Sequence, residues 1–235
     1  MTVRTIVKWP DSKLTQVAEN VDPVSQETRE LVQDLFDTMS AAFGAGLAST
    51  QVGVSKSVCI IRGDFIKDGS LVPDSVFKNA VVLINPEIKF LEDKKFRWKE
   101  ACLSVDEVEE KVTRHRKVQL VYEDLSGVKN TKVLENEAAA VVQHEVDHLS
   151  GIVFLDRLPV KKRKEIKSKI LQKKRRLREK KRKELEKIKK YTELEKKQNA
   201  EQPVPGFRVF SKNSVIKSRK GKKRKSFGKN KRRKK

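Results

Sequence analysis

His144 and His148 stand four residues apart, with Glu145 beside the first, in the run Gln143-His144-Glu145-Val146-Asp147-His148. On a helix this spacing puts two imidazoles on one face, within reach of a single metal ion. A carboxylate next to such an ion can take a proton from a water that the ion has made acidic. His-Glu-x-x-His therefore predicts hydrolytic metal chemistry, provided the segment is helical and a third ligand exists. A histidine, a carboxylate or a thiolate would serve as that ligand, and Cys102, in Glu100-Ala101-Cys102-Leu103-Ser104, is the attractive candidate. Two imidazoles and a thiolate suit zinc, ferrous iron, cobalt or nickel, and the residue types do not choose among them. Cys59 sits in the apolar run Val58 to Ile61 and reads as a core residue. His115, among Arg114, Arg116 and Lys117, reads as a solvated loop residue rather than a ligand.

The elements that must hold these groups follow from periodicity. Residues 25–42 read as a helix: Ser25 can cap it, and Leu31, Val32, Leu35, Phe36 and Met39 recur at helical spacing. Phe43 to Gly53 is small and Gly-rich, a loop or tight turn. Val58 to Ile61 reads as a buried strand, and residues 64–76 as a polar loop. Val81 to Ile84 and Ile88 to Leu91 read as two strands around an Asn-Pro turn, and Phe96 to Cys102 as another strand. Val118, Leu120 and Tyr122 alternate with polar residues before a turn at Ser126-Gly127 leads towards Val133, a hairpin with one buried face. A helix is expected from about Asn136 through the two histidines, so the metal motif falls on a helix. The fold class is α+β, with antiparallel or mixed sheets packed around a central metal-binding helix.

Composition divides the chain. Residues 161–235 hold 35 Lys/Arg and 7 Glu, a net +28, whereas residues 1–160 hold 20 Lys/Arg against 25 Asp/Glu, a net −5. The expected organisation is a catalytic domain over 1–160, a basic helical extension over 161–199 and a basic, disordered tail over 200–235. Ile166, Ile170, Leu177, Leu185, Ile188 and Leu194 make only a thin stripe, so the helix is expected to be solvated rather than packed. Two cysteines give no disulfide framework, and the start Met-Thr-Val-Arg-Thr-Ile-Val-Lys-Trp-Pro has no apolar core segment. A cytoplasmic location, or another reducing interior, is expected, without a membrane partner.

Three segments together resemble the motifs of the peptide deformylases: Gly44-Ala45-Gly46-Leu47-Ala48-Ser49-Thr50-Gln51-Val52-Gly53, Glu100-Ala101-Cys102-Leu103-Ser104 and His144-Glu145-Val146-Asp147-His148. They occur in that family's order, and Trp9-Pro10-Asp11 followed by Leu14 is similar to its N-terminus. The likeness covers roughly residues 1–160. It implies that Cys102, His144 and His148 hold one divalent ion, most often Fe2+, with Zn2+, Ni2+ or Co2+ as alternatives. It implies that Glu145 is the general base and acid, and that Gln51 and the backbone N–H of Leu103 hydrogen-bond the oxygen that becomes negative. Gly46 and Leu47 would contact an extended substrate. That substrate would be the formyl-methionyl end of a nascent polypeptide, and the products formate and a free amine.

The sequence departs from the family's usual pattern at Ala101, where glycine is usual, and at Ser49, where alanine is usual. Alanine at 101 would store about 1–3 kcal/mol of strain if φ is positive there, and almost none otherwise. Glu137-Ala138-Ala139-Ala140 is smaller and more polar than usual, which would reshape the pocket for the methionine side chain. In bacterial members a basic C-terminal helix contacts the ribosome, and residues 161–235 resemble an enlarged form of it. A density of +28 over 75 residues is also what any phosphate binder carries. Few aromatics accompany it (among them Phe207, Phe210 and Phe227), which argues against base stacking. Two other readings start from the same residues: an RNA-binding protein with an inactive enzyme domain, and a metallopeptidase of another His-Glu-x-x-His family. The intact set Gln51, Cys102, His144, Glu145 and His148 counts against the first, and the cysteine and glycine motifs count against the second.

Overall fold

The first helix, α1 (Gln26–Ala41), begins where the sequence provides a cap: Ser25 Oγ accepts from the Thr28 N–H at 3.2 Å. The computed structural model describes residues 2–63, 77 and 79–201, with side chains as far as 197. The expected loop over 64–76 and the expected disordered tail from 202 onward lie outside the described residues. Seven strands follow α1 or flank the second helix: β1 (Gly46–Ala48), β2 (Val58–Arg62), β3 (Ala80–Phe90), β4 (Lys95–Cys102), β5 (Val105–His115), β6 (Lys117–Glu123) and β7 (Lys129–Glu135). They form a five-stranded sheet in the order β1-β2-β3-β6-β7 and a separate β4-β5 ribbon. All their ladders are antiparallel. The metal motif lies on α2 (Asn136–Leu149), and α3 (Val160–Glu201) carries the basic extension. The fold is α+β, as read from the sequence.

Why β2 and β3 are apolar without interruption is clear from what covers them. Val58 and Ile60 of β2, with Ala80, Val82 and Ile84 of β3, face Leu31, Val32, Leu35 and Met39 of α1. The alternate residues Cys59, Ile61, Val81 and Leu83 face Ala138, Ala139 and Val142 of α2. A strand buried on both faces needs apolar side chains at every position, whereas β6, covered by α2 on one face, alternates. The small Ala138 and Ala139 let α2 settle directly on the sheet. A third cluster joins Cys102, Val105 and Val112 of the ribbon to Leu14, Phe154, Leu155 and Leu158.

Three expectations change. The stretch 43–53 is not a simple loop: β1 pairs with β2, and a 3-10 turn over Ser49–Val52 follows. The two strands around Asn85-Pro86 are one strand with a bulge, where the register shifts between Ile84 and Glu87. Asn85 takes φ 48° there, and its side chain bonds both backbone groups of Val21. Pro86 has no N–H to give to a ladder, and the bulge tolerates it. The extension is not solvated from its start, because Ile166 is buried against Phe154 and Leu158, and Ile170 packs beside it. By internal contacts the chain divides into Met1–Lys174 and Arg175–Lys235, and from Arg175 to Lys197 the side chains are exposed. Among the described residues, no helix is long and apolar enough to cross a membrane.

Candidate metal centre

Cys102 is delivered by a tight turn. β4 and β5 meet through Leu103-Ser104, and the register slips between Ala101 and Cys102, a bulge that re-aims the thiol. Ala101 is not among the residues with positive φ, so alanine fits this strand without strain. His144 and His148 come from one face of α2, their rings edge to face at 5.0 Å. The donor atoms of Cys102, His144 and His148 all lie within 4.8 Å of one another, with Cys102 Sγ 3.2 Å from His148 Nε2. An ion forming bonds of about 2.0–2.3 Å can reach all three. All three residues are buried.

The sequence reading missed what holds these ligands. Glu100 is on the same strand as Cys102, two residues earlier, and its carboxylate meets His144 Nδ1 at 2.8 Å. That contact fixes the ring so that Nε2 faces the donor cluster. Glu100 is itself gripped by Arg114 at 2.7 and 2.9 Å. Arg114 also donates to Asp147 at 2.5 Å, and Asp147 receives Arg157 at 2.5 and 3.0 Å. Burial would push the Glu100 carboxyl up, but Arg114 and His144 outweigh it and hold it at about 2. The available signal was period-2 spacing: Glu100 with Cys102, and Arg114 with Val112, each share a strand face.

His115, one residue on, points the other way. It stacks on Phe90 at 3.9 Å and its Nδ1 lies 3.2 Å from the carbonyl of Glu92. It is a half-buried strand end, not a loop residue, and it is not in the ligand cluster. Cys59 is fully buried in the sheet, and burial pushes its thiol well up, which keeps it an inert core residue. Burial also pushes the Cys102 thiol up, but His148 and His144 overcome this and bring it down to about 5, the thiolate form that ligates a metal.

Glu145 lies on the same helix beside a cleft of about 580 Å3 lined by Gly44 to Gly46, Gln51, Trp98 to Leu103, Ala140, Val141 and His144, among others. Burial raises its carboxyl above the ordinary value, against the pull of the two histidines. Its Oε2 and His148 Nδ1 are buried with no hydrogen-bond partner among the described residues. A thiolate, two imidazoles and an unsatisfied carboxylate together fit a divalent ion and a reacting water. Gln51 is locked beside them. Its Oε1 accepts from the Ala48 N–H at 2.9 Å, and its Nε2 donates to Ser104 Oγ at 3.1 Å and approaches Cys102 Sγ at 3.4 Å.

Gly46 and Leu103 line the cleft, whereas the Leu47 side chain does not. Strand alternation sends the Leu47 side chain into the α1 core, fully buried. β1 ends the sheet with one edge unpaired among the described residues. The Ser49 hydroxyl, buried, donates to the carbonyl of Lys56, which accounts for the extra polar atom.

Known proteins similar to this chain are consistent in kind. The family described as polypeptide deformylase matches residues 3–164. A peptide deformylase of Acidobacterium capsulatum is 39% identical over 163 residues, 69% of this chain and 91% of that protein. Peptide deformylase 1 of Pseudomonas syringae pv. tomato is 40% identical over 170 residues, 72% of this chain and 95% of that protein. The crystal structure of a peptide deformylase from Ehrlichia chaffeensis in complex with actinonin superimposes with a TM-score of 0.65 at 35% identity, covering 74% of this chain and 99% of that one. The chain belongs to the polypeptide deformylase family, whose members are metallohydrolases.

Proposed function

We propose that this protein hydrolyses the N-formyl group from the formyl-methionyl end of newly made polypeptides, releasing formate and a free amino terminus. The observation that carries the reading is the joint presence of the Cys102, His144 and His148 donors, the unsatisfied Glu145 carboxylate and the Gln51 amide at one end of one cleft. Cys102, His144 and His148 would hold one divalent ion, Fe2+ in the first instance, which when bound supplies Lewis acidity that makes a water more acidic and polarises the formyl oxygen.

This chain's own residues do the rest. Glu145 accepts a proton from the attacking water, and the remaining O–H oxygen bonds to the formyl carbon. The formyl oxygen becomes negative and is met by the Gln51 amide N–H and the backbone N–H of Leu103; loss of one such donor typically costs on the order of 10²–10³ in rate. The C–N bond then breaks, and Glu145 returns its proton to the departing amine. Burial raises the Glu145 carboxyl above its ordinary value, which makes its carboxylate a stronger base for the water's proton. The unpaired edge of β1 suits an extended chain that binds as an added strand, with Gly46 allowing close approach. A formyl group is small enough to reach a recessed centre that an internal peptide bond would not enter.

Activity on formyl-Met-Ala-Ser, measured by formate release from anaerobically purified protein with its metal content, tests this reading. Turnover with one iron per chain supports it, and a metal-loaded protein that releases no formate refutes it.

The basic extension is proposed to hold the enzyme at the ribosome through rRNA phosphates. What supports this is the concentration of +28 in residues 161–235 and the exposed basic helix beyond Arg175. Removal of residues 175–235 should weaken ribosome co-sedimentation in a salt-dependent manner. Equal affinity with and without those residues would refute this part of the proposal.

A further inference from the structure

The cleft wall carries charge that hydrolysis itself does not use. Six carboxylates line it, those of Glu100, Asp106, Glu107, Glu109, Glu137 and Glu145, against the lysines Lys8 and Lys99. Four of the six are already committed: Glu100 to Arg114, Asp106 to Lys8, Glu107 to Lys173 and Glu109 to Lys99. Glu145 stands at the reacting end. Glu137 remains, half-buried, with no ion pair or hydrogen bond among the described residues.

Its position defines what it can meet. Glu137 precedes His144 by seven residues of α2, two turns on one helix face, so it is about 10 Å from the metal ligand along the axis. Between them Ala140 and Val141 give the wall an apolar stretch, suited to an unbranched apolar first side chain. An extended peptide rises about 3.3 Å per residue, so 10 Å spans roughly three residues. A substrate whose formyl group is at Glu145 and whose chain runs along this wall of the cleft would pass Glu137 with its second or third residue. A carboxylate in the first turn of a helix also complements the helix dipole. That accounts for an acid at this position, but not for one on the cleft wall without a cation beside it.

We infer that Glu137 is a specificity residue that favours substrates with lysine or arginine as the second or third residue, the formylated one being the first. The inference rests on the proposed deformylase reading. A partly exposed ion pair of this kind gives a preference of about twofold to fivefold, weakened by salt.

The test uses the full chain loaded with its metal and two peptide series, formyl-Met-X-Ser and formyl-Met-Ala-X, with X = Ala, Lys or Glu. In at least one series, kcat/KM should fall in the order Lys, Ala, Glu, with the spread shrinking as salt rises from about 0.05 to 0.5 M. Glu137→Gln should bring the Lys-to-Ala ratio close to one, and Glu137→Lys should invert the order. Because the readout is a ratio within each variant, a general loss of activity does not imitate it. A wild-type enzyme that cleaves all these peptides without a charge preference overturns the inference and leaves the deformylase reading standing. So does a lysine preference that survives in both variants. Failure to cleave any formyl peptide overturns the deformylase reading itself.

Discussion

Replacing Gly46 with alanine isolates the position of Glu145 from everything else at the site. Gly46 is in a regular strand, so alanine is conformationally acceptable there. The obstacle is space: a Cβ on Gly46 would lie 2.4 Å from Glu145 Oε1, 2.7 Å from its Cδ and 3.0 Å from its Cγ. Ordinary contact begins near 3.4 Å, so the carboxylate must retreat by about 1 Å. A displacement of that size at a reacting group can cost about 10²-fold in rate. The metal donors Cys102, His144 and His148 do not touch Gly46 in this way, and overpacking should cost about 1–3 kcal/mol of stability. For Gly46→Ala we expect kcat on formyl-Met-Ala-Ser to fall about 10²-fold, with metal content unchanged and the protein still folded. The assay is formate release, run beside metal analysis and thermal melting. A kcat within about threefold of the parent, with metal retained, would refute the argument that Glu145 must occupy its observed position.

Arg114→Met should be severe for stability, because it leaves the buried Glu100 carboxylate without its arginine and takes from Asp147 one of its two; about 3–5 kcal/mol is expected in urea unfolding. The pairing of Glu100 also sets an acid profile. Its carboxyl titrates at about 2 in the folded protein against an ordinary 4.5, so its stabilisation is complete above about pH 4.5 and is lost as pH falls towards 2. Urea midpoints between pH 6 and pH 3 should fall chiefly below 4.5, and less so in Arg114→Met. Cutting the chain after Lys174 should leave the melting temperature close to the parent's. Cutting after Pro159 should lower it, because Ile166 leaves the core it shares with Phe154 and Leu158, a loss of about 2–4 kcal/mol.

Much of the site was legible because its residues are close in sequence or in rigid motifs. His144, Glu145 and His148 needed only the helical period, and the short apolar runs Val58 to Ile61 and Val81 to Ile84 were enough to read strands there. What stayed hidden depended on pairing across distance. β5 buries only Val105, Val112 and Arg114, with Val108 half-buried beside them, among acidic and basic neighbours, so it has little apolar signal. Without that strand, Arg114 looked like one more member of the basic run around His115, although it is 3% exposed and organises Glu100 and Asp147. Leu47 was read as a substrate contact from its place in a motif; the motif did not show that strand alternation turns its side chain under α1. The burial of Ile166 was equally invisible, because a thin apolar stripe along a basic helix does not show which of its residues has a partner.

The central claim, that Glu145 moves the protons of hydrolysis beside a metal held by Cys102, His144 and His148, is tested most directly by Glu145→Gln. The substitution keeps the shape and burial of the side chain and removes its ability to take a proton. Metal content and formate release should be measured on the same anaerobic preparation. One divalent ion per chain is expected, with a loss of about 10²–10⁴-fold or more in kcat. A metal-loaded Glu145→Gln protein that deformylates formyl-Met-Ala-Ser within tenfold of the parent would contradict the claim.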